Sequence, residues 1–310
     1  MTFLTPIEGT IVREREPLAG YTTYKIGGPA RWLVEVSARE ALPLVLGQLA
    51  AAGVPWLVLG NGSNVLVADR GFDGCALVLG GELAGLELTR DAFGAGQHRV
   101  RAGAAVSMTR LLRLAKDESL SDLWFLAGIP GTVGGAVRMN AGTRYGELSR
   151  VLVAAEVCAA DGYRSIPSDR LGLSYRASAL PAGAVVTGAE LRVGDADEAM
   201  RAKLDEVLAY RKSTQPLHLP SCGSVFANPP GDAAGRLIEA AGLKGATLGG
   251  AEVSSQHANR IVNRGGATAA DVHGLILRCR REVAERFGVS LHPEVQLVGD
   301  WSDAEREVLR

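Results

Sequence analysis

The pattern of apolar and polar residues predicts many short strands in the first two thirds of the chain. Short runs that are mainly apolar, or that alternate apolar with polar residues, are typical of strands when turn-forming residues bound them. Such runs occupy residues 30–36, 56–59, 65–67, 76–79, 85–89, 98–102, 151–159, 163–166 and 184–193. Asp161-Gly162, which separates two of these runs, predicts a hairpin turn.

Helical spacing of apolar residues is confined to a few segments. Ser37 with Glu40 predicts a capping box for a helix that runs to about residue 52, and Ser107 predicts the cap of a second helix. The remaining helical segments are a charged amphipathic stretch at 195–212 and the segments 233–241 and 268–287. Strands are predicted beside them at 224–227 and 289–298.

These elements predict an α+β protein with two domains, because the charged helix at 195–212 connects two groups of elements. At about 150 residues per domain, the length suggests the same number. We expect an N-terminal segment at 1–20, a strand-rich domain at 21–194 and a C-terminal domain at 195–310.

Composition and charge exclude several classes of protein. Lys and Arg total 33 and Asp and Glu total 34, so the net charge of −1 argues against a nucleic-acid partner. The most apolar stretch, 42–59, is interrupted by proline, glycine and glutamine, and the N-terminus lacks a signal-peptide pattern. We therefore expect no membrane association. The four Cys lie far apart and the five His show no ligand spacing, so no metal site is expected.

The first candidate for ligand binding is a glycine-rich loop between two apolar strands. Glycines permit positive φ, so successive N–H groups can converge on an anion. A plain hairpin turn is the competing interpretation, since Asn-Gly is a common turn dipeptide. The loop consists of Gly60, Asn61, Gly62, Ser63 and Asn64.

A second glycine-rich segment is apolar rather than polar, which is untypical of a flexible linker. It indicates backbone packed against a flat or anionic group, although tight packing of a turn remains an alternative. Neither loop has the spacing of a Rossmann or P-loop motif, and two such loops suit an extended dinucleotide. We expect a side chain at Gly62 or Gly131 to occupy the ligand's volume. The segment includes Gly128, Ile129, Pro130, Gly131, Thr132, Gly134 and Ala136.

Collinear motifs across residues 21–299 resemble the UDP-N-acetylenolpyruvoylglucosamine reductase family, flavoenzymes of peptidoglycan precursor synthesis. Besides the two glycine loops, the matching stretches are Thr22-Thr23-Tyr24-Lys25-Ile26-Gly27-Gly28, Ser174-Tyr175-Arg176, Gln215-Pro216, Gly223-Ser224-Val225-Phe226, Asn228-Pro229, His257-Ala258-Asn259, Asn263 and Pro293-Glu294-Val295. A single motif of this kind is weak evidence for membership of the family, whereas the presence of all of them in the family's order is specific evidence.

The resemblance implies an FAD-binding domain made of two α/β subdomains, of the vanillyl-alcohol-oxidase type, and a C-terminal α+β substrate domain. It implies non-covalent FAD, NADPH as hydride donor, a UDP-sugar substrate and a cytoplasmic enzyme, which we expect to be a monomer. Tyr24 joins the two loops as a cofactor-binding residue.

Three residues are expected to carry the chemistry that the resemblance implies. Arg176 offers fixed hydrogen-bond donors to the substrate carboxylate. Its positive charge also stabilises the negative charge that hydride addition adds to that carboxylate. Ser224 is the candidate proton donor to the neighbouring carbon, and Glu294, when protonated, donates a hydrogen bond to the carboxylate. The alternatives are a surface arginine, a serine that satisfies local backbone groups, and an outward-facing strand glutamate.

Tyr175, Lys212 and Asn228 are the candidate substrate contacts, although a solvated helix end explains Lys212 equally well. Longer members of the family carry a Tyr-bearing insertion after the Tyr-Arg motif, and this chain resembles the shorter class that lacks it. It departs from the family's usual pattern by carrying Tyr145 one position late. Two other functions compete with the reductase. One is a related FAD-dependent oxidase of a sugar or alcohol, and the other is a non-catalytic nucleotide- or flavin-binding module.

Overall fold

The computed structural model describes residues 5–307, which form sixteen strands and seven α-helices. The strands, numbered in chain order, are β1 (Thr10–Pro17), β2 (Pro29–Val36), β3 (Trp56–Val58), β4 (Val65–Val67), β5 (Phe72–Leu79), β6 (Leu86–Thr89), β7 (Gln97–Gly103), β8 (Gly142–Thr143), β9 (Gly146–Glu147), β10 (Leu152–Ala159), β11 (Gly162–Pro167), β12 (Val185–Gly194), β13 (Thr247–Leu248), β14 (Ala251–Val253), β15 (Ile261–Asn263) and β16 (Gln296–Val298). The α-helices are α1 (Ala41–Ala51), α2 (Met108–Asp117), α3 (Val133–Arg138), α4 (Glu198–Thr214), α5 (Ala234–Ala240), α6 (Ala269–Phe287) and α7 (Asp303–Glu307).

The chain divides into two compact units that do not follow sequence order. The first unit comprises the residues up to Arg13, Leu33–Gly60 and Cys75–Arg211. The second comprises Glu14–Trp32, Asn61–Gly74 and the residues from Lys212 onward. The bounds expected from the sequence, 1–20, 21–194 and 195–310, place 14–20 in the N-terminal segment and 21–32 and 61–74 in the strand-rich domain, whereas these segments belong to the second unit. Those segments bury Tyr24, Ile26 and Leu66 in the same apolar cluster as the C-terminal helices.

The first unit is built on an antiparallel sheet of order β11-β10-β12-β7-β6. The predicted hairpin is confirmed, since Ala159 pairs with Gly162 across the Asp161 turn. Alternation along β7 buries Val100 and Ala102 against α2 and α3. A further sheet has the order β1-β2-β5-β3, with β3 and β5 parallel.

The second unit is organised around α6. Its buried residues Val272, Leu275, Ile276, Cys279 and Val283 follow helical spacing and form one apolar stripe. The helix begins at a capping box of Thr268 with Asp271 and ends at Gly288 in the left-handed conformation. A three-stranded sheet, β13-β14-β15, packs beside it, and β16 pairs in parallel with β4.

Several sequence-based expectations about elements are wrong. The capping box at Ser37 does not form, because the Ser37 hydroxyl donates to the carbonyl of Gly9 and α1 begins at Ala41. The unpatterned N-terminal segment contains β1, whose residues are mostly polar or half-exposed. Short α3 lies inside the glycine-rich segment. The predicted strand 224–227 is reduced to a single bridge between Phe226 and Pro293, and only 296–298 of the predicted 289–298 is a strand.

The four cysteines are free and buried, and burial raises the pKa of Cys75 and of Cys279 to about 12. Buried thiols with a raised pKa are poor nucleophiles, so these cysteines serve as packing residues. No helix between residues 5 and 307 is both long and apolar enough to cross a membrane. Across the same residues, no group of three or more His, Cys, Asp or Glu side chains is arranged to hold a metal ion.

Candidate active site

The two glycine loops meet within the first unit at Gly60 and Thr132. A Cβ added at Gly60 would lie 2.4 Å from the Thr132 hydroxyl oxygen, so a side chain there would displace the Thr132 side chain. Backbone bonds fix the second loop: Met108 N–H donates to Gly131 O at 3.0 Å, and Gly134 N–H donates to Ala104 O at 3.0 Å. These bonds fix the second loop at the start of α3, where Thr132 does not use its side chain as a cap.

The rest of the first loop, Asn61 to Asn64, belongs to the second unit. Gly62 has φ +57°, and a Cβ there would lie 2.3 Å from the carbonyl oxygen of Tyr21. We predicted that a side chain at Gly62 would fill the ligand's volume. The structure corrects this, because the side chain would first collide with the protein's own backbone.

Gly128 and Gly131 also adopt positive φ, +71° and +117°. The space beside Gly128 is taken by Arg211, whose Nε lies 2.4 Å from the position of an added Cβ. Side chains are therefore excluded beside Gly60, Gly62 and Gly128, where the chain passes close to other protein atoms. Glycine turns that lack side chains are a kind of backbone that a diphosphate-bearing cofactor can approach closely.

Tyr24 does not lie on a surface that a cofactor can reach. Its side chain is 0% exposed in the core of the second unit, and burial raises the pKa of its hydroxyl. The expectation that Tyr24 binds the cofactor is therefore corrected for its side chain. Its backbone carbonyl accepts a hydrogen bond from Asn263 Nδ2 at 3.0 Å, so the residue anchors the N-terminal segment instead.

Arg176 is held in one place in the first unit. Its backbone has φ +55°, its guanidinium donates to Gly142 O at 2.9 Å, and the guanidinium carbon lies 4.8 Å from the centre of the Tyr175 ring. Asn140, which the sequence interpretation did not single out, is buried and donates from Nδ2 to Ser174 O at 3.1 Å. The Ser174-Tyr175-Arg176 turn is thus tied to the 140–142 segment at both ends, and Tyr175 is 56% exposed.

Ser224 and Glu294 lie on neighbouring segments of the second unit. Ser224 is exposed and directly precedes Val225, which is fully buried. Glu294 is half-buried, and its N–H donates to Val225 O at 2.8 Å. Glu294 lies before β16 rather than within it, which corrects the expectation that it stands in the last strand. Asn64 Nδ2 donates to Glu294 O at 3.0 Å, so part of the donor capacity of this loop side chain serves the protein.

Two of the candidate substrate contacts, Asn228 and Lys212, belong to the second unit and lie on different segments. Asn228 accepts a hydrogen bond from Ala234 N–H at 3.0 Å through Oδ1, at the start of α5. It lines a cavity of about 520 Å³ together with Pro229, Asp232 and His292. Lys212 is exposed near the C-terminal end of α4.

Comparison with known proteins gives two matching family models. Residues 30–164 match an FAD binding domain, and residues 215–298 match the C-terminal domain of UDP-N-acetylenolpyruvoylglucosamine reductase. The reductase of that name from Myxococcus xanthus is 48% identical over 94% of both chains. The chain belongs to the UDP-N-acetylenolpyruvoylglucosamine reductase family.

Other members of the reductase family agree with this assignment. The reductase from an Anaeromyxobacter species is 45% identical over 98% of this chain and 93% of its own. The crystal structure of the Thermus caldophilus reductase superposes with a TM-score of 0.77 at 38% identity, covering 93% of this chain and 98% of that one. The expected fold class, an FAD-binding domain followed by the C-terminal domain of this family, is confirmed.

Proposed function

We propose that this chain reduces the enolpyruvyl ether of UDP-N-acetylglucosamine to the lactyl ether, giving UDP-N-acetylmuramate for peptidoglycan synthesis. The observation that carries the proposal is 48% identity to a reductase of this name over 94% of both chains. The presence of both family domains supports it over the oxidase and the binding module, since neither of those requires the C-terminal domain.

In this proposal the residues of the two glycine loops would hold FAD non-covalently, and the bound flavin would supply the transfer of a hydride from NADPH to the substrate's methylene carbon. The glycine loops hold the cofactor through backbone N–H groups and close approach of the main chain. The residues assigned to cofactor binding are Gly60, Asn61, Gly62, Ser63, Asn64, Gly128, Ile129, Pro130, Gly131, Thr132, Gly134 and Ala136.

Arg176 stabilises the negative charge that develops on the substrate carboxylate and the adjoining carbon. A planar guanidinium stays charged and offers paired donors, and its anchors at Gly142 and Tyr175 limit reorganisation as the charge forms. One well-aimed donor of this kind lowers a barrier by about 3 kcal/mol.

Ser224 donates the proton that completes the reaction at the carbon next to the carboxylate. A hydroxyl is a weak acid, but a carbanion-like carbon is a strong base, so the transfer is favourable where water is excluded. Glu294 supplies the carboxyl group that contacts the substrate carboxylate. Its backbone bond to Val225 places it on the segment next to that of Ser224. Tyr175, Lys212 and Asn228 contact the UDP-sugar.

The protein acts in the cytoplasm as a monomer, with a small-molecule substrate and no nucleic-acid or membrane partner. The near-equality of 33 basic and 34 acidic residues supports the absence of a polyanionic partner. UDP-sugars and reduced pyridine nucleotides are cytoplasmic metabolites, which supports the location.

The test separates the two half-reactions under anaerobic conditions. The purified protein is reduced with NADPH, and the enolpyruvyl sugar nucleotide is then added while flavin absorbance is followed. We expect bleaching by NADPH and recovery of the oxidised spectrum with formation of the lactyl ether. A protein without flavin would contradict the proposal, as would a reduced flavin that only oxygen reoxidises.

A further inference from the structure

A buried asparagine, Asn259, makes three hydrogen bonds to the two residues that follow Ser224. Its backbone carbonyl accepts from Val225 N–H at 3.0 Å. Its side chain pairs with Phe226 in both directions: Oδ1 accepts from Phe226 N–H at 2.9 Å and Nδ2 donates to Phe226 O at 2.8 Å. Asn259 is 4% exposed, so it acts on this segment and does not reach a ligand.

The other side of the same segment is bonded to the Glu294 segment. Val225 O accepts from Glu294 N–H at 2.8 Å, and Ala227 N–H donates to His292 O at 2.9 Å. A single bridge between Phe226 and Pro293 completes the pairing. The segment therefore lies between the Glu294 segment and Asn259, which occupies the place that a neighbouring strand would have in a sheet.

A carboxamide is suited to this place because it offers a donor and an acceptor in one plane, as a peptide unit does. The two groups of Phe226 that it pairs are buried backbone groups, which are costly to leave unbonded. A leucine at position 259 would leave the Phe226 N–H and carbonyl without hydrogen bonds. An ionised aspartate would place a second acceptor oxygen next to the Phe226 carbonyl oxygen, and the two would repel each other. Few residues other than asparagine satisfy both groups at this reach.

We propose that Asn259 is a positioning residue, which sets the register of the Ser224 segment against Glu294 and so aims the proton donor at the reacting carbon. The proposal rests on the proposed function, because Ser224 has that role only in the reductase. A misplacement of about 1 Å at a reacting group costs on the order of 100-fold in rate. Loss of the Asn259 pairing is therefore expected to slow protonation.

The decisive variant is Asn259→Asp, which changes the pairing reversibly with pH. The ionised carboxylate repels the Phe226 carbonyl, whereas the protonated carboxyl donates to it and still accepts from Phe226 N–H. Burial favours the protonated form, so the change falls at accessible pH. We expect reoxidation by substrate to be on the order of 100-fold slower than wild type at high pH. The variant should approach the wild-type rate as the pH falls.

The matched control is Asn263→Asp, at a residue that is 8% exposed in the same unit. Asn263 bonds Tyr24 O, Gly265 N–H and Ala267 N–H through its side chain, and none of these lies on the Ser224 segment. We expect its rate of reoxidation by substrate, relative to wild type, to be independent of pH.

Rates are compared as ratios to wild type at each pH, because the surrounding titratable groups are common to all three proteins. Those groups are Cys222 before Ser224, His257 and Arg260 beside Asn259, His292 and Glu294 on the facing segment, and Asp232, Arg236 and Glu239 at α5. Flavin content, reduction by NADPH and thermal midpoint are measured alongside, and we expect all three to stay near wild type in Asn259→Asp at low pH.

An Asn259→Asp variant with the wild-type rate at every pH would overturn the proposal, as would a pH profile that Asn263→Asp shares. Failure of wild type itself to be reoxidised by substrate would instead contradict the proposed function. Amide exchange in the wild-type holoenzyme provides a measurement that needs no variant. We expect the amide hydrogens of Val225 and Phe226 to exchange with solvent only through global unfolding. If these amide hydrogens exchange as fast as those of an exposed loop, the proposal is also overturned.

Discussion

At the scale of single residues, the candidate site depends on backbone conformations that most side chains avoid. Arg176 has φ +55° and Asn140 has φ +39°, in a region that costs a non-glycine residue roughly 1–3 kcal/mol. The hydrogen bonds of Asn140 to Ser174 O and of Arg176 to Gly142 O hold this geometry in place. The proposed electrostatic stabiliser, Arg176, therefore stands in a strained turn that these hydrogen bonds support.

Replacing the proposed proton donor should separate the two half-reactions. We expect Ser224→Ala to bind FAD and to be reduced by NADPH at the wild-type rate, since the exposed hydroxyl contributes nothing to the core. Reoxidation by the enolpyruvyl substrate should fall by about 10²- to 10⁴-fold, the usual contribution of a positioned acid. Stopped-flow absorbance measures both steps, and wild-type turnover would remove Ser224 from the mechanism.

Two glycines provide a matched test of backbone strain. In Gly62→Ala the new Cβ meets Tyr21 O at 2.3 Å at a positive φ, so we expect a loss of about 2 kcal/mol or more in unfolding free energy. In Gly47→Ala the Cβ meets nothing within 4 Å inside α1, and about 1 kcal/mol of stabilisation is expected. Urea unfolding compares them, and equal effects would refute the close approach at Gly62.

At the scale of elements, one charged group joins β10 to the segment that leads into α1. Glu156 accepts two hydrogen bonds from Arg39, at 2.5 and 2.7 Å, and one from Thr187 Oγ1 at 2.9 Å. The Arg39 bonds, and then that of Thr187, lower the pKa of Glu156 against the opposing effect of burial. The Arg39 guanidinium also lies 3.8 Å from the Tyr163 ring centre on β11.

The lowered pKa of Glu156 predicts a pH-dependent contribution to stability. A carboxyl with a folded-state pKa below its unfolded value of about 4.3 stabilises the protein above that pH and loses the effect as pH falls through the folded-state pKa. We expect Glu156→Gln to be about 1 kcal/mol less stable at neutral pH, since the pair is over a third exposed. Urea unfolding at neutral and acidic pH should show the difference vanish in acid; a difference that persists there would contradict this origin.

At the scale of the whole molecule, each compact unit is assembled from segments that are distant in sequence. The core of the second unit combines Tyr24, Ile26, Leu66 and Ala68 with the buried faces of α5 and α6. Parallel pairing of β4 with β16 joins residues 65–67 to 296–298. Its stability therefore depends on segments that precede most of the first unit.

This arrangement predicts that the C-terminal segment does not fold by itself. A fragment of residues 212–310 lacks Tyr24, Ile26, Leu66 and Ala68, and its β16 has no partner. We expect the fragment to lack near-UV circular dichroism and a cooperative urea transition, which the full chain should show. A cooperative transition in the fragment would show that the N-terminal segments are dispensable to this core.

The sequence by itself determined most of the regular elements and the membership of the family. Helical periodicity located α6 and the strand alternation located β10, β11 and β12, because each buries one face of a regular element and so leaves a period in the sequence. Motif order predicted the FAD-binding and C-terminal domains, since glycine turns and short polar motifs leave a local signal.

Only the tertiary structure decided which segments share a core and what the polar residues of the motifs do. Tyr24 resembled a cofactor contact in sequence but is buried, and the Asn259 side chain bonds Phe226, 33 residues away. Neither fact leaves a local pattern, because burial and hydrogen bonding between distant segments depend on how the chain returns on itself. Periodicity records the face that a residue occupies on its own element, whereas the partner across the core is set by the fold.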